Sequence, residues 1–314
     1  MSKILVIRGG AIGDFILTLP VLSALRQQFP NAGLEVLGYP HIAQLAVAAG
    51  LADNVRSIDA RPLAGFFARG AILDPALQDY FAGFAIIVSY LYDPDGIFEA
   101  NVRRSCKGQF IVGPHRPDES KNEHATAVFL EPLKRLAIFD ADPIPRIPLP
   151  SEERSPSNPQ SKQIAIHPGS GSEKKNWPLE KWIELARQLL NFSDCSLLIV
   201  GGEAEAARIE TLKGALPDRA DFAFSLPLPT LAARLASCSQ FIGHDSGITH
   251  LAAAVGIPVI ALWAETSEAV WGPQGDRVFV VRLCGGLKNL EVDAVASVVK
   301  FARPIVPGAQ HIKL

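Results

Sequence analysis

Apolar residues along the chain fall into short unbroken runs separated by stretches with helical spacing. Ile4-Leu5-Val6-Ile7 opens the series, followed by runs at 34–39, 85–91 and 110–113, then at 164–167, 196–202, 241–244 and 258–263. Runs that are apolar throughout, instead of alternating with polar residues, predict parallel strands covered on both faces. Between them the spacing changes. Phe15, Leu19 and Leu22, four and three apart, predict one face of a helix, and the stretch after Pro178 predicts another with proline at its first position. Strand-helix alternation in both halves predicts an α/β chain of two doubly wound, Rossmann-like domains. The stretch 140–162 holds six prolines among polar residues and reads as a linker, which places the domains at 1–150 and 151–314, with the final residues free to pack back on the first. In such folds ligands bind at the carboxyl ends of the strands.

Composition narrows the picture. The chain has 314 residues, 48% hydrophobic and 20% charged, with a formal net charge of -2, so it carries no global charge footprint for nucleic acid. Cys106, Cys195, Cys238 and Cys284 lie far apart without a C-x-x-C, which indicates neither a zinc cluster nor a disulfide scaffold and fits a cytoplasmic setting. The most apolar stretch, 251–263, is too short to span a membrane and is broken by Gly256 and Pro258, and no signal peptide is expected ahead of the first strand.

Three loops carry the candidate chemistry. The first is "RGGAIGD", residues 8–14, between a strand and a helix. A dinucleotide motif needs glycine at position 8, where Arg8 stands, and Asp14 falls in the first helical turn, where a pyrophosphate would otherwise sit. An ionised carboxylate there suits a general base, or it simply compensates the helix dipole. The second loop follows the strand ending at His167: Gly169, Ser170, Gly171, Ser172, Lys174 and Lys175 supply backbone N–H groups, hydroxyls and cations for an anion, unless the loop is merely solvated. The third is Asp245-Ser246-Gly247, a turn into a helix that carries His250. Ser246 lacks the G-x-S-x-G setting of a hydrolase nucleophile. Glu203, after the strand at 196–202, is placed either to accept from ribose hydroxyls or to compensate a helix start.

Taken together, "GAIGDFILTLPVL", "HPGS…KNWP", "DSGITHLAAAVGIPVIALW" and a later "WGP" at 271–273, in this order over nearly the whole chain, resemble glycosyltransferase family 9, the bacterial heptosyltransferases of the lipopolysaccharide inner core. The resemblance implies a GT-B architecture, an ADP-sugar donor on the second domain and a glycolipid acceptor on the first. It implies that Asp14 is the base in an inverting transfer and that Ser170, Gly171 and Lys175 contact the donor's phosphates or sugar. Glu203 would hold the nucleoside, and Asp245, Ser246, Gly247 and His250 would line the diphosphate and the transferred sugar. Lys175 and the helix after Ser246 would stabilise the leaving group. Gly10 and Gly13 would shape the acceptor side. Arg103, Arg104, Lys107, Arg116 and Lys121 form a basic set that could meet a phosphorylated lipid and bring the protein to the inner membrane face, or serve as a solvated surface. Asp93-Pro94-Asp95 has the D-x-D spacing of metal-dependent transferases but is also a good turn sequence, so no metal and no other cofactor is expected. Two other readings stand beside the transferase: a nucleotide-sugar epimerase or hydrolase, for which His115, Glu123 and His124 are the loose acid/base candidates, and a non-catalytic binding module.

Overall fold

The computed structural model describes residues 2–149, 162–191, 195–216, 220–283, 286–301 and 310–313. Most of the proline-rich linker and Cys284 lie outside the described residues. The chain divides into two compact units, Met1–Pro143 and Ile144–Leu314. Residues after Pro143 are already tied to the second unit: Ile147 N–H donates to the Ala254 carbonyl at 2.9 Å, and Arg146 pairs with Asp276 at 3.4 Å.

The first unit holds β1 (Lys3–Arg8), β2 (Gly33–Gly38), β3 (Asn54–Ser57), β4 (Ile86–Ser89) and β5 (Gln109–Val112), all parallel, in the order β3-β2-β1-β4-β5. The second holds β6 (Lys162–His167), β7 (Cys195–Gly201), β8 (Ala220–Phe224), β9 (Gln240–His244), β10 (Val259–Trp263), β11 (Val278–Arg282) and β12 (Gln310–Lys313), again parallel, in the order β12-β11-β10-β9-β6-β7-β8. The central strands are apolar because helices cover both faces: Leu5, Ile7, Leu37, Ile87 and Phe110 share one core with Phe66, Phe81 and Phe98, and Ile166, Ile199, Ile242 and Leu262 share another with Trp177 and Trp182. The last described strand, β12, is an edge of the second sheet and pairs with β11.

Two local expectations change. The helix through Phe15, Leu19 and Leu22 is two helices, Ile12–Ile16 and Leu19–Gln28. Pro20 lacks the N–H that would continue the ladder, and the Thr18 hydroxyl donates to the Asp14 carbonyl at 2.8 Å, closing the first helix early. The three apolar side chains still turn to the core. Pro178 is the residue before the helix Leu179–Leu190, with extended ψ 139°, and its carbonyl receives the N–H groups of Lys181 and Trp182.

Strand order positions the candidate loops. In the first sheet the chain reverses direction of growth between β1 and β4, and Asp14 follows β1. In the second the reversal lies between β6 and β9, which run side by side with His167 opposite Gly243. The loop after His167 and the turn at Asp245 are therefore neighbours at the carboxyl end of the sheet, where ligands bind in this kind of fold.

Candidate functional site

At the mouth of β1, Gly10 adopts φ +98°, a conformation that favours glycine, and a Cβ there would stand 2.9 Å from the Asp14 carboxylate. Asp14 is the third residue of the helix Ile12–Ile16, and Gly13 is the second. One carboxylate oxygen of Asp14, Oδ2, accepts from the Ala11 N–H at 3.0 Å, and the other faces the Arg8 guanidinium at 3.5 Å. About a third of the Asp14 side chain is exposed, while Arg8 is buried. The sequence offered Arg8 only as the residue that spoils a dinucleotide motif; its ion pair is decided by the fold.

In the second unit the loop from β6 is pinned at both ends by one residue. His244, fully buried at the end of β9, accepts the Trp177 N–H at Nε2 (2.8 Å) and faces the Gly169 carbonyl with Nδ1 at 3.2 Å. A ring that accepts at one nitrogen and donates at the other is neutral. Burial holds His244 down to about 3, against a smaller upward pull from the Gly169 carbonyl, and holds His167 down to about 4. The loop is also stiffened internally: the Ser170 hydroxyl lies 2.8 Å from the Asn176 amide oxygen and 2.9 Å from the Ser172 carbonyl, and Gly171 takes φ +71°.

Lys175 reaches across to the turn after β9. Its ammonium donates to Asp245 Oδ2 at 2.6 Å, and the Thr266 hydroxyl donates to the same oxygen at 2.6 Å. Ser246 caps the helix Gly247–Ala254, accepting from the Thr249 N–H at 3.4 Å, and its hydroxyl lies 3.4 Å from His167 Nδ1. The Thr249 hydroxyl donates back to the His244 carbonyl, and His250 is buried within that helix. Ser170, Gly171, Lys175, Asp245 and Ser246 thus belong to two adjoining loops joined by a direct ion pair, and Gly247 and His250 to the helix that the second loop enters. An ammonium beside a helix N-terminus can receive an anion.

Glu203 stands exposed at the start of a single turn, Glu203–Glu205. The residue two further on is the buried one. Glu205 accepts the Gly202 N–H at 2.9 Å and lies directly behind Gly169, where a Cβ would come within 2.2 Å of its Cγ. Strand neighbourhood explains this, since β7 runs beside β6 and delivers Glu205 to the base of the loop that follows β6. The signal in sequence was "GGEAEAAR" itself, which contains two glutamates and does not say which one turns inward.

The basic set lies on both sides of β5 in the chain. Arg103, Arg104 and Lys107 precede β5, whereas Arg116 and Lys121 follow it. Arg103 pairs with Glu99 at 2.8 Å and donates to the Phe110 carbonyl, Arg104 donates to the Ala71 carbonyl, and Arg116 pairs with Glu119 at 3.3 Å. Lys107 and Lys121 are exposed. Asp93 uses both carboxylate oxygens to receive the N–H groups of Phe98 and Glu99 at the start of the helix Ile97–Arg103, and Asp95 is exposed in the same turn. His124 caps the helix Ala125–Leu130, accepting the Thr126 N–H at 3.3 Å, and the His115 ring lies 4.6 Å from that of Tyr92, tilted by 59°.

The family model for glycosyltransferase family 9 (heptosyltransferase) matches residues 131–295. The chain belongs to glycosyltransferase family 9. It is a glycosyltransferase by that membership. A lipooligosaccharide heptosyltransferase 2 of Haemophilus influenzae is 25% identical over 321 residues, covering 90% of this chain and 89% of its own. Among solved structures, a glycosyl transferase family 9 protein of Veillonella parvula superposes with a TM-score of 0.79 at 18% identity, covering 96% of this chain and 97% of the other. An Escherichia coli heptosyltransferase with ADP gives a TM-score of 0.74 at 19% identity, covering 96% and 99%. These establish the two-unit α/β fold of GT-B heptosyltransferases. Among the described residues no helix is long and apolar enough to cross a membrane.

Proposed function

We propose that the chain transfers a heptose from ADP-heptose to a lipopolysaccharide core acceptor with inversion at the anomeric carbon. The observation that carries this reading is the pairing of Lys175 with the turn at Asp245, which sets a cation beside the N-terminus of Gly247–Ala254 at the switch point of the second sheet. A nucleoside diphosphate suits that arrangement, and its nucleoside would extend toward Glu205, which we favour over Glu203 because it is the carboxylate packed against Gly169. The relative from Haemophilus and the neighbour solved with ADP support donor and acceptor of this class.

In the reaction the acceptor hydroxyl oxygen attacks the anomeric carbon on the face opposite the diphosphate. The carbon–oxygen bond to the β-phosphate breaks, the electron pair leaves with ADP, and the acceptor's proton passes to Asp14. Lys175 and the backbone N–H groups at Ser246 and Gly247 take up the charge that grows on the leaving group. No step calls on a metal. The test is purified protein with ADP-heptose and heptose-deficient lipopolysaccharide. Transfer should occur, the new linkage should have the anomeric configuration opposite to the donor's, and Asp14→Asn should lower kcat by about two to four orders of magnitude with ADP affinity unchanged. Retention of configuration, or full turnover by Asp14→Asn, overturns the mechanism.

A further inference from the structure

Arg8 is a buried cation that the reaction above leaves unused. It ends β1 with only 3% of its surface exposed. Nη1 donates to the His115 carbonyl at 2.9 Å, and Nη2 faces the Asp14 carbonyl at 3.3 Å and the Asp14 carboxylate at 3.5 Å. Phe129 packs against the guanidinium, 4.5 Å from ring centroid to Cζ, with Tyr90 at 5.9 Å. The Tyr90 hydroxyl donates to the Phe129 carbonyl and holds that ring in place. Nε is buried with no hydrogen-bond partner.

A guanidinium in such a place forfeits hydration and one of its five donors, which an aliphatic side chain would not. Packing alone therefore does not account for it. Its geometry does: Ala11 N–H takes Oδ2 of Asp14 from one side and Arg8 faces Oδ1 from the other, so the carboxylate plane is held between a backbone donor and a fixed cation. The His115 carbonyl and the two aromatic rings keep that cation from turning away.

We propose that Arg8 is a positioning residue for Asp14, holding the carboxylate at the orientation in which it receives the acceptor's proton. This rests on Asp14 being the base. When the proton moves from the acceptor oxygen to Asp14, the buried Arg8 loses the negative charge it faces.

Arg8→Met keeps length and bulk without charge, and Arg8→Lys keeps charge with a different reach. With ADP-heptose and heptose-deficient lipopolysaccharide, Arg8→Met should lower kcat by about 30- to 100-fold while the KM for ADP-heptose stays within about twofold, and Arg8→Lys should recover most of the lost kcat. The second readout needs no turnover: the Ala11 amide resonance, shifted by its bond to Asp14, should move toward a solvent-exposed position in Arg8→Met and return in Arg8→Lys. Should Arg8→Met not fold, Arg8→Gln retains a donor for the His115 carbonyl, lacks the charge, and should show the same two losses. Wild-type kcat and an unmoved Ala11 amide in the uncharged variant overturn the proposal. Full activity of Asp14→Asn in the same assay would remove the base itself, whereas an inactive Asp14→Asn beside a fully active Arg8→Met removes Arg8 alone.

Discussion

Acid should weaken the second unit through two buried histidines. His167 is held down to about 4 and His244 to about 3, each from an ordinary 6.5, chiefly by burial. Below pH 6.5 the unfolded chain takes up protons that the native rings refuse. Their contribution to stability is therefore complete above 6.5 and is lost as pH falls toward the native values. Between pH 7 and pH 5 the linkage comes to about 2 kcal/mol per ring, or about 4 kcal/mol for the pair, because at pH 5 the unfolded rings are nearly all protonated and the native ones nearly all neutral. Urea unfolding at each pH reads this, with fluorescence from the buried Trp177 and from Trp182, whose ring lies 5.2 Å from His244, as the signal. The comparison is the double variant His167→Asn, His244→Gln. Its amides lack the titration, and the glutamine oxygen offers Trp177 N–H an acceptor in place of Nε2. Its stability should fall about 4 kcal/mol less than that of the wild type over the same pH interval. Equal pH dependence in the two proteins would refute the claim that these rings are buried neutral.

Three further outcomes follow from the geometry. Lys175→Ala removes the cation and leaves Asp245, with little exposed surface, without its ammonium partner, so ADP binding measured by calorimetry should weaken and kcat/KM should lose about 2–4 kcal/mol; unchanged ADP affinity would put the donor elsewhere. Asp93→Ala deletes the acceptor for two backbone N–H groups of Ile97–Arg103 and should cost about 1 kcal/mol in urea unfolding. Transfer should persist in EDTA for both that variant and the wild type, and reversible loss on chelation would instead point to a metal-held diphosphate. Gly169→Ala sets a Cβ 2.2 Å from Glu205 Cγ and must displace that side chain. It should cost about 1–3 kcal/mol in stability and weaken ADP binding, the latter read against Glu203→Ala, which should leave ADP binding close to wild type.

The apolar runs of β1, β2, β4, β5, β6, β7, β9 and β10 were legible because strands covered on both faces leave no polar positions to blur the pattern. β3, the Asn54–Ser57 edge, and β8, partly exposed along its length, carry no such run, and pairing to one neighbour decides them. β11 does carry the run "VFVV", so it was within reach of the same pattern. The loops at Asp14, at 169–175 and at 245–247 declared themselves through glycine, hydroxyl and charge at strand ends. The order of strands is a different kind of fact: residues 167 and 245 become neighbours only because β9 lies beside β6, a pairing set by which sheet edges remain open as the chain winds, not by local residue preference. Burial is of the same kind. Glu203 and Glu205 differ little as a local pattern, and Arg8 read as a missing glycine. That Glu205 turns inward behind Gly169, and that Arg8 enters the core to face Asp14, depends on helices and strands brought together from distant parts of each unit. The sequence by itself therefore settled the fold class and pointed to three candidate loops, while the tertiary structure alone chose which charged side chains in those loops meet.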